Sequence, residues 1–259
     1  MATKFQPRLG DYFRFVTQGT WQPRGTDYEI NFGDIETSGA TPNLTDIERY
    51  SREFAEKTLA RSDTIQKDMT LSLTVMSLMR EVAQMMWMDA DGDLLTQAAV
   101  TAQTKTFSNL KVGRIYDLGH VNTSINSADD DGSVPVVFVE DVHYKHNSEL
   151  GKVELIAIPA SATKLVMEFD AAEIDAEDDI AVYGGMAGQG VFGTLRYYGV
   201  SDIGQNFKIE FWNVRIKPSG EISLQGGDDY GQVQLDVRVY ADGTKPDKFR
   251  FFKVTELKN

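Results

Sequence analysis

No cysteine occurs in the 259 residues. Disulfide staples and thiolate chemistry are excluded, and the composition fits a reducing compartment. Histidine is almost as scarce. His143 and His146 stand three apart, on opposite faces of a strand, and His120 is remote from both. A zinc centre needs His, Cys or carboxylates converging at fixed spacing, so no metal is expected. No Pro/Ser-rich linker divides the chain, and a single domain over residues 1–259 is expected. No apolar run approaches the ~20 residues that span a bilayer. Met1-Ala-Thr-Lys-Phe-Gln-Pro-Arg8 has no signal-peptide core.

Catalytic signatures are missing too. There is no Gly-x-Ser-x-Gly elbow and no thiol nucleophile. Gly184 to Gly190 is glycine-rich, but strand-like Val191 to Tyr198 follows it where phosphate capture needs a helix N-terminus, so it reads as a flexible turn. Asp89-Ala-Asp-Gly-Asp93 begins like a calcium loop, yet Leu94 and Val100 stand where Gly and Glu are required. Asp228 and Asp229 are adjacent on a glycine turn and are expected to face water. No catalytic residue and no cofactor is expected, an acidic-pair hydrolase being the enzymatic reading left open. Positive charge is also short: 26 Lys and Arg against 39 Asp and Glu give a net −13. A protein that grips phosphates is usually basic, which disfavours ordinary nucleic-acid binding.

What the chain has in quantity is alternation. Side chains of a strand alternate faces, so apolar residues at every second position mark a strand with one buried face. Val233, Leu235, Val237 and Val239 obey this. Phe207, Ile209 and Phe211 obey it, and then the phase slips and Trp212, Val214 and Ile216 carry it on, which puts Trp212 in the core. One extra residue near Phe211-Trp212 predicts a β-bulge. Further strands are predicted at Asp11–Val16, Tyr28–Phe32 continuing to Ile35 past a bulge at Gly33, Leu44–Tyr50, Thr64–Met76, Val112–Leu118, Val121–Ile125, Val134–Val139, Lys152–Ile158, Lys164–Phe169, Ala181–Tyr183, Val191–Tyr198 and Lys248–Val254. Thr37 to Pro42 reads as a loop. Many short strands at turn spacing argue for a sandwich or barrel.

One helix is predicted, Ser77 to Met88, with Ser77 as N-cap and Leu78, Val82, Met85 and Met86 as its apolar stripe. Ahead of it, Leu44–Tyr50 and Thr64–Met76 pair through the polar segment 51–63 as a long hairpin. Thr45 to Ala60 can also be written as a helix, with Ile47, Tyr50, Phe54 and Leu59 at helical spacing.

The order of parts resembles a known family. A charged hairpin Ile47-Glu-Arg-Tyr-Ser-Arg52 leads to Lys67-Asp-Met-Thr-Leu-Ser-Leu73, which feeds a short helix. An aromatic strand, Ile216-Lys-Pro-Ser-Gly-Glu-Ile-Ser-Leu224, Asp228-Asp-Tyr-Gly-Gln-Val-Gln-Leu235 and Val237-Arg-Val-Tyr-Ala-Asp242 follow near the end. This layout is similar to the major tail tube proteins of long flexible-tailed bacteriophages. The resemblance implies a mainly β fold: two packed antiparallel sheets, as a sandwich or partial barrel, with one flanking helix. It implies a structural virion protein, made in the bacterial host cytoplasm, whose subunits form stacked hexameric rings and a tube for DNA ejection, with terminal arms aiding the stacking. Tape measure, tail terminator and distal tail proteins become partners, and DNA passes without specific binding down an acidic bore. The hairpin loop at 51–63 becomes the contact between rings, with Arg52, Glu53, Glu56, Lys57 and Arg61 as its candidate residues. The alternative is a β-sandwich binding module, either a carbohydrate binder stacking sugars on Trp21 and Trp212 or a tail-tip or fibre component.

Overall fold

The computed structural model describes residues 17–53, 55–89, 92–199, 206–222 and 230–257. The strand expected at Asp11–Val16, the N-terminal arm and the Asp228–Asp229 turn lie outside them. The fold is mainly β, with antiparallel sheets and one α-helix among the described residues. That helix is too short to cross a membrane. Two compact units result, Met1–Gly92 with Tyr183–Asn259, and Asp93–Val182. No linker marks the division because the second unit is an insertion whose two ends are paired to each other. Its first strand, β5 (Asp93–Leu94), lies antiparallel to its last, β12 (Ala181–Val182).

The first unit contains β1 (Thr17–Pro23), β2 (Ile30–Asn31), β3 (Ile35–Ser51), β4 (Thr58–Val75), α1 (Arg80–Trp87), β13 (Val191–Gly199), β14 (Asn206–Pro218), β15 (Val233–Val239) and β16 (Phe252–Leu257). Its sheet runs β2-β1-β13-β14-β15-β4-β3, with β16 also on β14. The alternation of β15 is realised: Val233, Leu235, Val237 and Val239 are buried, opposite Val75, Leu73, Leu71 and Met69. The bulge in β14 is realised as well. Leu195 pairs with Phe211 and Gly193 with Val214, so three steps on β14 oppose two on β13. The strand bends there. Its first half pairs β16 and its second half pairs β15.

Trp212 is a correction. The slip takes up both Trp212 and Asn213, so the buried phase resumes at Val214 and leaves the indole half-buried. Its Nε1 donates to the Phe249 carbonyl (2.9 Å), and the Lys245 ammonium sits 4.5 Å from the ring centroid.

The sheet curls until its ends face each other over the core without closing a barrel. Ser38 of β3 donates to the Tyr197 hydroxyl of β13 at 2.8 Å. Burial pushes the Tyr197 phenol up to about 12. A raised pKa favours the neutral form in the fold, so its contribution is full below pH 10 and is lost as the pH rises towards 12. Thermal melts across that window should show the wild type losing about 2 kcal/mol more than Tyr197→Phe. Parallel curves for the two chains would refute this.

Helix α1 starts later than Ser77 predicts. The Ser77 hydroxyl accepts instead from the Asp34 amide (3.1 Å), and Met79 holds the N-cap position without a side-chain bond. Val82 and Met85 are buried and Met86 packs beside them, whereas Leu78 precedes the helix and is exposed. The helix ends at left-handed Met88. There the Gly184–Gly190 stretch closes it: the Met186 and Gly188 amides donate to the Trp87 and Met88 carbonyls, and the Gly184 amide to Asp89. The glycines let backbone reach helix carbonyls that would otherwise be orphaned.

Two of the loop readings also change. Gly33, at φ +75°, is no bulge; it turns the chain from β2, paired to β1, into β3, paired to β4. Thr37 to Pro42 is strand, not loop. Proline composition misleads here because β3 is the sheet's edge, where the missing amide costs no ladder bond.

The inserted unit has two three-stranded sheets. One is β7 (Ile115–Asp117), β10 (Lys152–Leu155) and β9 (Tyr144–Asn147); the other is β6 (Val100–Phe107), β11 (Leu165–Ala171) and β8 (Thr123–Asp129). They share a core around Leu118, Tyr144, Val153, Leu155, Met167 and Phe169. The valine run Val134–Val139 is no strand. The Val136 amide goes to the Asp130 carboxylate (2.8 Å), Pro135 has no amide, and only Phe138 enters the core. His143 Nδ1 accepts from the Val139 amide, and His146 Nε2 lies 2.8 Å from the Thr123 hydroxyl. Burial lowers the His146 pKa. Among the described residues no three His, Asp or Glu side chains converge as metal ligands.

Charge divides unevenly. The insertion holds 16 acidic residues against six basic ones, a net −10 of the chain's −13. The first unit is therefore close to balance.

Candidate functional site

Strands β3 and β4 pair residue by residue from Ile35↔Val75 to Ser51↔Thr58. Their roots belong to the core sheet, where Leu71, Leu73 and Val75 are buried. Beyond Pro42↔Met69 almost every residue of both strands is exposed, on both faces. Nine residues of strand, Asn43 to Ser51, reach roughly 30 Å at the ordinary rise per residue. The helical alternative for Thr45 to Ala60 is excluded by this ladder. The register shifts between Thr45/Asp46 and between Arg49/Tyr50, each time with an extra residue on β4. Such bulges twist a ribbon and interrupt its edge.

The connection is shorter than the expected 51–63. It covers residues 52–57, because β4 already begins at Thr58. Its polar composition suggested a loop, but Thr58 to Asp63 lack a buried face and so show no alternation. Arg52, Glu53, Glu56 and Lys57 come together at the tip and are exposed, whereas Arg61 lies in β4, opposite Arg49 and ion-paired to Asp63. The candidate set is thus four residues of a tip and one of a strand.

What the charge pattern did not reveal is apolar. Leu44, Ile47, Tyr50, Leu59 and Ile65 are each more than half exposed on this hairpin. Tyr50 and Leu59 are direct cross-strand partners near the tip. The Tyr50 hydroxyl donates to Glu48 (2.6 Å), which raises the phenol's pKa. At the root, Pro42, Leu44, Lys67, Asp68, Met69, Phe251 and Phe252 line a recess of about 160 Å3. Single exposed apolar residues are ordinary on a protein surface; five on one unsupported ribbon mark a contact surface. The available signal was the apolar residues themselves, recurring through a stretch otherwise polar. Added to this, β3 leaves its outer edge open over 17 residues among the described ones. An edge of that length is a template for another chain.

Trp21 and Trp212 do not form a sugar platform. Trp21 is buried in the core, and one face of Trp212 is occupied by Lys245.

Residues 53–255 match the family described as protein of unknown function UCP028589. The chain belongs to that family. The matched span takes in β4, the insertion and the closing strands as far as Thr255. No curated protein matches the chain.

Proposed function

We propose that this family member is a structural subunit that polymerises with copies of itself, the tube-forming subunit of a long flexible phage tail, assembled as stacked hexameric rings that conduct DNA. The observation that carries the reading is the projecting hairpin of β3 and β4. A two-stranded ribbon that buries neither face is at best marginally stable in water. Covered by a neighbouring copy, its apolar residues and open edge gain the burial and the ladder bonds that the isolated chain cannot supply. The order of hairpin, short helix and closing aromatic strands supports the same reading by its resemblance to tail tube proteins. Partners at the two ends of such a tube, and a tape measure within it, follow from that resemblance.

The acidic balance does not support the reading in the form first expected. Most of the net negative charge lies on the insertion, so an anionic bore is no necessary product of the core sheet. The experiment is negative-stain electron microscopy of the purified chain over a rising concentration series. Rings or tubes of uniform diameter are expected. Single particles at every concentration would rule the reading out.

A further inference from the structure

The outer face of the first unit's sheet carries unpaired positive charge in a chain that is acidic. Arg215 of β14 and Arg238 of β15 are direct cross-strand partners. Each neighbours buried residues along its strand, Val214 and Ile216 or Val237 and Val239, so both lie on the face turned away from the core. Like charges directly opposite one another destabilise a strand pair. One pair further along, the same strands set Lys217 against Asp236 at 3.4 Å, the usual arrangement. Among the described residues no carboxylate pairs with Arg215, Arg238 or Arg24.

Aromatic rings hold two of these guanidinium groups in place. Arg24 lies over Phe192 at 5.1 Å, and Phe192 is the partner of Arg215 on its other side. Arg215 lies 5.9 Å from the centroid of Tyr240, with its Nε buried and without a hydrogen-bond partner. Arg238 is exposed. A buried donor left unspent is costly unless a ligand uses it, and the Nε/Nη edge of arginine is the one a carboxylate takes bidentately.

We propose that this arginine face docks the acidic run 173–179 on the inserted unit of a second copy of the chain. The inference rests on the self-assembly reading and names a contact within it. Charge selects the occupant: the insertion carries 16 acidic residues against six basic ones, and Glu173 and Glu177 are exposed. A nucleic acid is the poorer fit, because a chain of net −13 repels phosphate at long range.

The test is Arg238→Glu. It sets a carboxylate opposite Arg215, so below the assembly concentration the monomer should melt no lower than wild type. Its critical concentration for assembly at low salt should rise on the order of tenfold or more, the scale of losing a docked charge pair. Adding E173R and E177R to R238E should bring assembly back towards the wild-type concentration. R238E assembling like wild type would overturn the inference while leaving the self-assembly reading intact. Failure of the compensated chain to recover would overturn the assignment of the occupant. A fluorescent oligonucleotide that binds wild type and not R238E would replace the second copy with a nucleic acid. A wild type that never assembles removes both readings together.

Discussion

Replacing residues 47–63 with an Asn-Gly turn, which joins Asp46 to Thr64 across their existing ladder pair, should leave a folded monomer that forms no rings or tubes. The described residues of the excised segment contribute nothing to the buried cores, so the melting temperature should stay within a few degrees of wild type. Assembly should disappear altogether, because the cut removes Ile47, Tyr50 and Leu59 with the tip. Single changes grade the effect. Tyr50→Ser with Leu59→Ser removes the exposed cross-strand apolar pair near the tip and should raise the assembly concentration far more than Glu53→Gln with Glu56→Gln. Exposed charge pairs contribute little, typically 0.2–1 kcal/mol, whereas burying a large apolar side chain contributes about 1.5–3 kcal/mol. The check is sedimentation velocity of each chain, followed by microscopy. Normal tubes from the shortened chain would contradict the role given to the hairpin.

The contrast between hairpin and core explains what could be read in the sequence. Where a strand has one wet and one dry face, alternation was enough. The Val233–Val239 strand and the β14 bulge were legible down to the residue at which the phase slips. Where both faces are wet there is no period to see, so Thr37 to Pro42 and Thr58 to Asp63 read as loop although both are strand. Trp212 failed for a related reason: a bulge leaves its extra residues in neither phase, and residue type alone put the indole inside. The helix start failed because Ser77 had a competing long-range partner, the Asp34 amide, which no local rule registers. The insertion was hidden because its ends are tied by a two-residue ladder instead of a Pro/Ser-rich linker. At the candidate site the charges at 52–57 were found, and the apolar surface beside them was not, because exposure is a property of the fold.

The largest loss of stability from a glycine-to-alanine change in the first unit is expected at Gly193, which faces the bulge. A Cβ there would stand 2.1 Å from the Gln22 carbonyl and 2.6 Å from the indole carbons of Trp21. The carbonyl is backbone in the neighbouring strand β1, so relief requires β1 and β13 to part. Parting them pulls Trp21 from the place where it is almost wholly buried. Overpacking alone costs about 1–3 kcal/mol, and losing the contacts of a buried Trp costs about 3–5 kcal/mol when it is truncated. Gly193→Ala should therefore destabilise the first unit by about 3 kcal/mol or more. Gly185→Ala, where a Cβ meets nothing within 4 Å, should be near neutral and serves as control. Trp21→Phe removes one of the two clashes and leaves the carbonyl, so the double variant with Gly193→Ala should be less unstable than the sum of its parts, as coupled neighbours are. The inserted unit has a separate core and should keep its own transition in all four chains. Denaturant titration followed by tryptophan fluorescence and by far-ultraviolet dichroism measures both. If Gly193→Ala unfolds with the wild-type midpoint, β1 does not approach β13 as closely as the bulge requires, and the curl of the sheet that carries the hairpin outward loses its cause.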